Sequence, residues 1–163
     1  MSNTASDLDL LAPPIGKMLQ DEGRISETDL AKALSFQEQF GGRLGAILIR
    51  IGAVAENDVL DALSKQLGFG VIDLTDLPQD PAVYIECFEK TGIAALWWLD
   101  AEALIWHDGT GTLNCISRDP LEPSLQETVY NTSEGESVTW WLTASRDLDF
   151  VLDLVRQSLL GDS

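Results

Sequence analysis

Few side chains in this sequence can do acid–base or nucleophilic work. His107 is the single histidine, and neither cysteine, Cys87 or Cys115, lies near it along the chain. A lone histidine is more often a structural residue than a general base. Two cysteines without close spacing make no metal-ligand set. Gly109-Thr110-Gly111 lacks a third glycine and a following helix, so it reads as a turn, and no G-x-x-x-x-G-K-[ST] phosphate loop occurs. Carboxylate pairs such as Asp21-Glu22 and Asp147/Asp149 abound, but among 27 acidic residues a close pair carries little information. The chain reads as non-enzymatic, with no catalytic residue and no metal site expected.

Gln37 and Gln66 are different, because they recur in register. Shifting the sequence by 29 positions superimposes residues 14–37 on residues 43–66, with Glu38 to Gly42 as a five-residue spacer. Nine of the 24 paired positions are identical, among them Gly16/Gly45, Leu19/Leu48, Gly23/Gly52, Ala33/Ala62, Leu34/Leu63 and Gln37/Gln66. Such self-similarity marks a repeated structural unit. Each unit reads as a short helix, a glycine stop, a turn and a second helix. In the second unit Leu44, Ile47, Leu48 and Ile51 recur at helical steps, and Gly52 falls where a left-handed cap is expected. Ser26 with Asp29 three residues later resembles a capping box, and Leu30 and Leu34 are expected on the buried face. The two glutamines then sit one turn on, at the edge of that face. They are either ligand contacts or a solvated helix edge.

Beyond Gln66 the pattern alternates. Gly70 to Leu74 is expected as a strand, Pro81 to Lys90 as a helix, and Ala103 to His107 with Leu113 to Ser117 as a hairpin. Asp119 is expected to cap a helix running from Pro120 toward Tyr130 with a stop at Gly135. Val138 to Leu142 reads as a strand. Ser145 is expected to cap a last helix with Leu148, Val151, Leu152, Val155 and Leu159 on one face. The five tryptophans, Trp97, Trp98, Trp106, Trp140 and Trp141, all fall in this half. With both Trp-Trp pairs read as strand residues, one of each pair faces the core and the other faces out, under a helix or toward a partner.

The expected fold class is α+β. A tandem helical repeat of two 24-residue units over residues 13–67 packs against a small α/β subdomain over 68–163, after a disordered lead-in over 1–12. A formal charge of −17 disfavours nucleic acid and anionic lipid as partners. Ile93 to Leu99, the most apolar stretch, is too short to span a bilayer, so no membrane insertion is expected. The N-terminal residues lack a basic, apolar secretory pattern, so the expected location is cytoplasmic, with reduced cysteines.

The string Arg43-Leu44-Gly45-x-x-Leu48-x-x-x-Gly52-x-Val54-x-x-x-x-Val59-x-x-x-Leu63-x-x-Gln66, preceded by a similar unit and the five-residue spacer, resembles the MshEN domain. This is the N-terminal regulatory domain of bacterial type II secretion and type IV pilus assembly ATPases. The resemblance covers residues 15–160 and is most specific in the repeat. In that family the two units together bind cyclic di-GMP. By position the resemblance implies Ile15, Gly16, Leu30, Leu34 and Gln37 in the first unit as ligand-binding, and Arg43, Leu44, Gly45, Val59, Leu63 and Gln66 in the second. It also implies a protein partner from a secretion, pilus or glycosyltransferase machine, and a regulatory role coupled to it.

One position departs from the family. Where the first unit of the family begins with arginine, this sequence has Pro14. Losing a charge-assisted hydrogen bond costs about 1.5 to 3 kcal/mol, roughly a hundredfold in affinity at the upper end. Lys17 and Arg24 are the nearby cations that would replace it. The alternative function is therefore a ligand-free docking module of a type II secretion-like system.

Overall fold

The computed structural model describes residues 15–161. The lead-in expected over residues 1–12 lies outside them, as does Pro14. The chain divides into two compact units, one ending at Gly68 and one beginning at Phe69.

The first unit is the repeat. Its helices are α1 (Ile15–Asp21), α2 (Glu27–Phe40), α3 (Leu44–Arg50) and α4 (Glu56–Leu67). Gly23 and Gly52 both adopt positive φ, 74° and 78°, and turn the chain out of the short helices. Most of the spacer is not a loop. The second helix of the first unit continues through Phe40, and only Gly41 and Gly42, at φ 75° and 102°, reverse the chain before α3. Leu19 and Leu48, equivalent residues, are fully buried with Ala33 and Ala62 at the centre of the unit. The helices pack crosswise. The closest partner of α1 is α4, and that of α2 is α3.

The sequence places Leu34 and Ile51 on buried faces, and the structure corrects both. They are 45% and 42% exposed. The seam between the helices is so narrow that the alanines at 33 and 62 fill it, which leaves the leucine one position on at its margin.

Helix starts differ between the units. Ser26 accepts from the Asp29 amide at 3.0 Å while Asp29 accepts from the Ser26 amide at 3.3 Å, a complete capping box. Ala55 occupies the equivalent position with nearly the same backbone, φ −81° and ψ 153°, but offers no side-chain acceptor. Its Asp58 is instead bound by Arg24. Ser26→Ala should therefore cost about 1 kcal/mol, and Ala55→Ser should gain about 0.5 to 1 kcal/mol, read as opposite shifts in thermal midpoint. Equal shifts for both would show that neither cap matters.

The second unit runs β1 (Gly70–Val71), a 3-10 turn (Leu74–Asp76), α5 (Pro81–Thr91), α6 (Ala95–Asp100), β2 (Ala103–His107), β3 (Thr112–Ser117), α7 (Pro123–Thr132), β4 (Ser137–Leu142) and α8 (Ser145–Gly161). The sheet order is β1-β4-β3-β2. The hairpin β2–β3 is antiparallel, with Ile105 opposite Cys115. The crossover helix α7 brings β4 back parallel to β3, with Cys115 opposite Trp140, and β1 adds parallel to β4. Nearly every residue of β2 and β3 is buried; β2 is apolar up to its last residue, His107, whereas β3 buries the polar Asn114 and Ser117 among its apolar residues. The hairpin turn is tied by Asp108, which accepts from the Thr110 amide and hydroxyl and from the Asn114 amide, and these bonds lower its carboxyl to about 2.

Four sequence expectations change here. Trp97 and Trp98 lie on α6, not on a strand, since Ala-Leu-Trp-Trp-Leu contains no β-branched residue and follows the Gly92 helix stop. The strand expected over Gly70 to Leu74 ends at Val71, because Leu74 opens the 3-10 turn ahead of Pro78. The α7 helix begins after Glu122, not Asp119. Glu122 accepts from the Ser124 and Leu125 amides, and Pro123 supplies the first helical residue. In α8 Ser145 is already helical, and Leu159 is exposed while Leu148, Val151, Leu152 and Val155 are buried.

Neither β4 tryptophan lies open. Trp140 stacks on Phe69 with centroids 6.3 Å apart, and Trp141 covers Gly70 while its Nε1 donates to Asn114 Oδ1 at 2.9 Å. The most open large apolar side chains among the described residues are instead Leu96, Tyr130 and Leu160, on helices of this unit, and Phe40 in the repeat.

Candidate functional site

The residues implied in the repeat fall into three sets. Gly16, Leu30 and Leu44 meet at one contact. A methyl group on Gly16 would stand 2.7 Å from a Leu30 methyl and 2.8 Å from a Leu44 methyl. Gly45 and Val59 repeat it, since a methyl on Gly45 would stand 2.9 Å from a Val59 methyl. At both glycines a larger residue would force these neighbouring side chains to shift. Val59 is buried, and Ile15, Leu30, Leu44 and Leu63 are partly covered around the same core.

The second set is the apolar margin. Leu34, half exposed, occupies the position in the first unit that the more covered Leu63 occupies in the second.

The polar members form the third set. Gln37 is partly buried, and its Nε2 donates to the Gly42 carbonyl at 3.0 Å, tying the end of α2 to the glycine reversal. Gln66 is partly buried near the end of α4. Arg43 sits exposed at the start of α3 with an extended backbone, φ −85° and ψ 137°.

The two cations near Pro14 do not stand equal. Arg24 is held by three carboxylates. Its Nε meets Glu22 at 3.0 Å, Nη2 meets Asp61 at 3.1 Å, and Nη1 binds Asp58. Lys65 closes the same network on Asp61 at 3.2 Å and Glu22 at 3.4 Å, and the Asp61 carboxylate first, then Glu22, raises its pKa. Arg24 therefore clasps α1 to α4 and brings no surplus positive charge to an anion. Lys17 is exposed and pairs loosely with Asp21 at 3.7 Å. Only the structure could reveal this, because two of the three partners of Arg24, Asp58 and Asp61, lie 34 and 37 residues away.

The structure also brings together residues that the sequence keeps apart. Cys87 on α5 lies 3.6 Å from His107 Nδ1, although 20 residues separate them. No local spacing signals that contact. Among the described residues no group of three or more His, Cys, Asp and Glu is disposed to hold a metal ion. None of the described helices is long and apolar enough to cross a membrane.

No family model matches the chain. Over 69 residues it is 38% identical to the type IV pilus assembly ATPase PilB of Myxococcus xanthus (strain DK1622). That match covers 42% of this chain and 12% of PilB, so the chain corresponds to a small part of this relative. Among solved structures, MshE with cyclic di-GMP is 27% identical, with a TM-score of 0.71 over 85% of this chain and 96% of that one. The N-terminal domain of XpsE is 20% identical, and its TM-score of 0.66 over 94% of this chain and 97% of that one shows a shared fold. By repeat, fold and likeness, the chain resembles over most of its length the N-terminal domain of type II secretion and type IV pilus ATPases.

Proposed function

We propose that the chain is a non-catalytic regulatory domain that binds cyclic di-GMP across its two helical units and couples occupancy to a secretion, pilus or glycosyltransferase machine. The observation that carries this reading is the likeness to MshE, solved with that ligand, in a chain that keeps the whole pattern of the second unit from Arg43 to Gln66. The physical roles follow from placement. Leu34 and Leu63 at the margin of the repeat offer apolar surface to guanine, and the Arg43 guanidinium offers charge-assisted bonds to phosphate. Gln66 supplies a polar contact to a base or phosphate edge. A ligand touching both units favours one arrangement of α1–α4 over others, which is how occupancy becomes a signal.

Specific observations favour a second reading, a ligand-free docking module. Pro14 brings no cation, Arg24 is neutralised by carboxylates, and Gln37 already donates to Gly42. The first unit thus lacks the arginine with which the second begins. In the docking reading, the exposed apolar side chains of the outer helices meet a protein partner.

Isothermal titration of cyclic di-GMP at low and moderate salt separates the two. The receptor reading expects one-to-one binding at about micromolar affinity or tighter, weakened at least about tenfold by Arg43→Ala or Gln66→Ala. Absence of heat in the native chain, with binding gained by Pro14→Arg, would leave docking as its role.

A further inference from the structure

The second unit holds a side-chain cluster that nucleotide binding in the repeat does not use. Cys87 on α5, His107 at the end of β2 and Glu136 just ahead of β4 converge at one wall of a cavity of about 340 Å³. His107 Nε2 lies 2.9 Å from Glu136 Oε1 and Nδ1 lies 3.6 Å from Cys87 Sγ. A carboxylate only accepts, so Nε2 carries the ring proton and Nδ1 turns its lone pair to the thiol. This order of thiol, imidazole and carboxylate is the arrangement that activates a nucleophile by general base. Both ring nitrogens are engaged by side chains, which agrees with the lack of a metal-holding group here.

The cavity lining says what would enter. Lys90 contributes an ammonium and Glu134 and Glu136 carboxylates to the lining, with Thr91, Thr132 and Leu113. A cavity of this size that holds both signs of charge suits a small molecule that carries both.

We propose that Cys87 is a thiol-exchange site that forms a mixed disulfide with a small zwitterionic disulfide of the amino-acid or peptide class, with His107 as its base. Cys87 Sγ attacks one sulfur of the disulfide as its proton passes to His107 Nδ1. The S–S bond of the small molecule breaks, a new bond joins Sγ to one half, and the other half takes the proton from Nδ1 and leaves as a thiol. Cys87 is oxidised and the released half is reduced, so no further reductant or oxidant is needed. Glu136 stabilises the transient imidazolium. The base is essential because burial pushes the Cys87 thiol up to about 11, which leaves almost no free thiolate at neutral pH. Cys115, fully buried and with its thiol also driven up by that burial, is an internal control.

The full chain, with wild-type sequence, is incubated with cystine and, separately, with uncharged hydroxyethyl disulfide, and adducts are followed by intact mass and mapped by peptide. The expected result is one adduct, on Cys87 and not on Cys115, forming faster from cystine, with Lys90→Ala removing that preference. The rate should not follow ionisation of the thiol between about pH 7 and 9, and His107→Gln should slow it at least about tenfold. A rate that rises about tenfold per pH unit across that range is the signature of a simple ionising thiol and overturns the proposal. So does a folded chain that forms no adduct while the urea-unfolded chain reacts at both cysteines. The pH profile needs no substitution, so misfolding of a variant leaves the test intact.

Discussion

Trp98→Ala should destabilise the second unit by about 3 to 5 kcal/mol, whereas Trp98→Phe should cost less than about 2 kcal/mol. Trp98 is 0% exposed, its ring lies nearly parallel to that of Phe88 at 5.6 Å, and the edge of Trp97 meets it at 5.0 Å. Truncation to alanine empties the largest fully buried side-chain volume of the unit and strips Phe88 and Trp97 of their partner. Phenylalanine keeps most of that stacking. It also removes the indole Nε1, a buried donor for which no acceptor lies within reach. Burying such a group without a partner costs about 1 to 3 kcal/mol, so its removal offsets part of the lost volume. Urea unfolding of the two variants decides the point. A phenylalanine variant as unstable as the alanine one would mean that Nε1 is bonded after all.

The second large effect is expected in the repeat. Leu19→Ala and Leu48→Ala should each cost about 2 to 5 kcal/mol, and by nearly equal amounts. Both side chains are 0% exposed, and they occupy equivalent positions in two units that share one small buried cluster. A helical unit of this size holds only about 3 to 5 kcal/mol in its core, so either change brings α1–α4 to the edge of unfolding. Hydrogen exchange resolved along the chain is the direct reading, with lost protection at the amides of all four helices in either variant. Loss confined to the helix that carries the substitution would mean that the repeats do not form one cooperative structure.

How much of this was legible in the sequence depended on redundancy. The repeat states each helix and glycine turn twice, and the two statements agree, so Gly23 and Gly52 stand where the pattern put them, while the Ser26 capping box was legible from its own unit alone. Strands Ala103–His107 and Ser137–Leu142 were legible because they are rich in large apolar or β-branched residues and bounded by turn signals. The Trp97-Trp98 helix was not, since a six-residue segment is too short to show a helical period and aromatic residues favour strands on average. Leu34 and Ile51 show a different limit. Periodicity finds the apolar stripe of a helix, but how closely two helices approach decides whether an alanine or a leucine closes the seam. For the candidate site, the residues were marked by family resemblance and repeat position. Their competing bonds, Arg24 to Asp58 and Asp61 and Gln37 to Gly42, are long-range or turn-dependent and leave no sequence signature.

The crosswise packing of α1 on α4 and α2 on α3 has a consequence for how such a unit can exist at all. Each half places its short helix against the long helix of the other, so neither half covers its own apolar face. A solitary half would have to find a second copy by diffusion, as a homodimer does, and would fold only at concentrations set by that encounter. The Gly41-Gly42 reversal tethers the two halves and replaces that encounter with an effective concentration of roughly millimolar or higher. The fused pair is also freed from strict symmetry: position 14 is proline where its counterpart 43 is arginine, and position 55 is alanine where its counterpart 26 is serine.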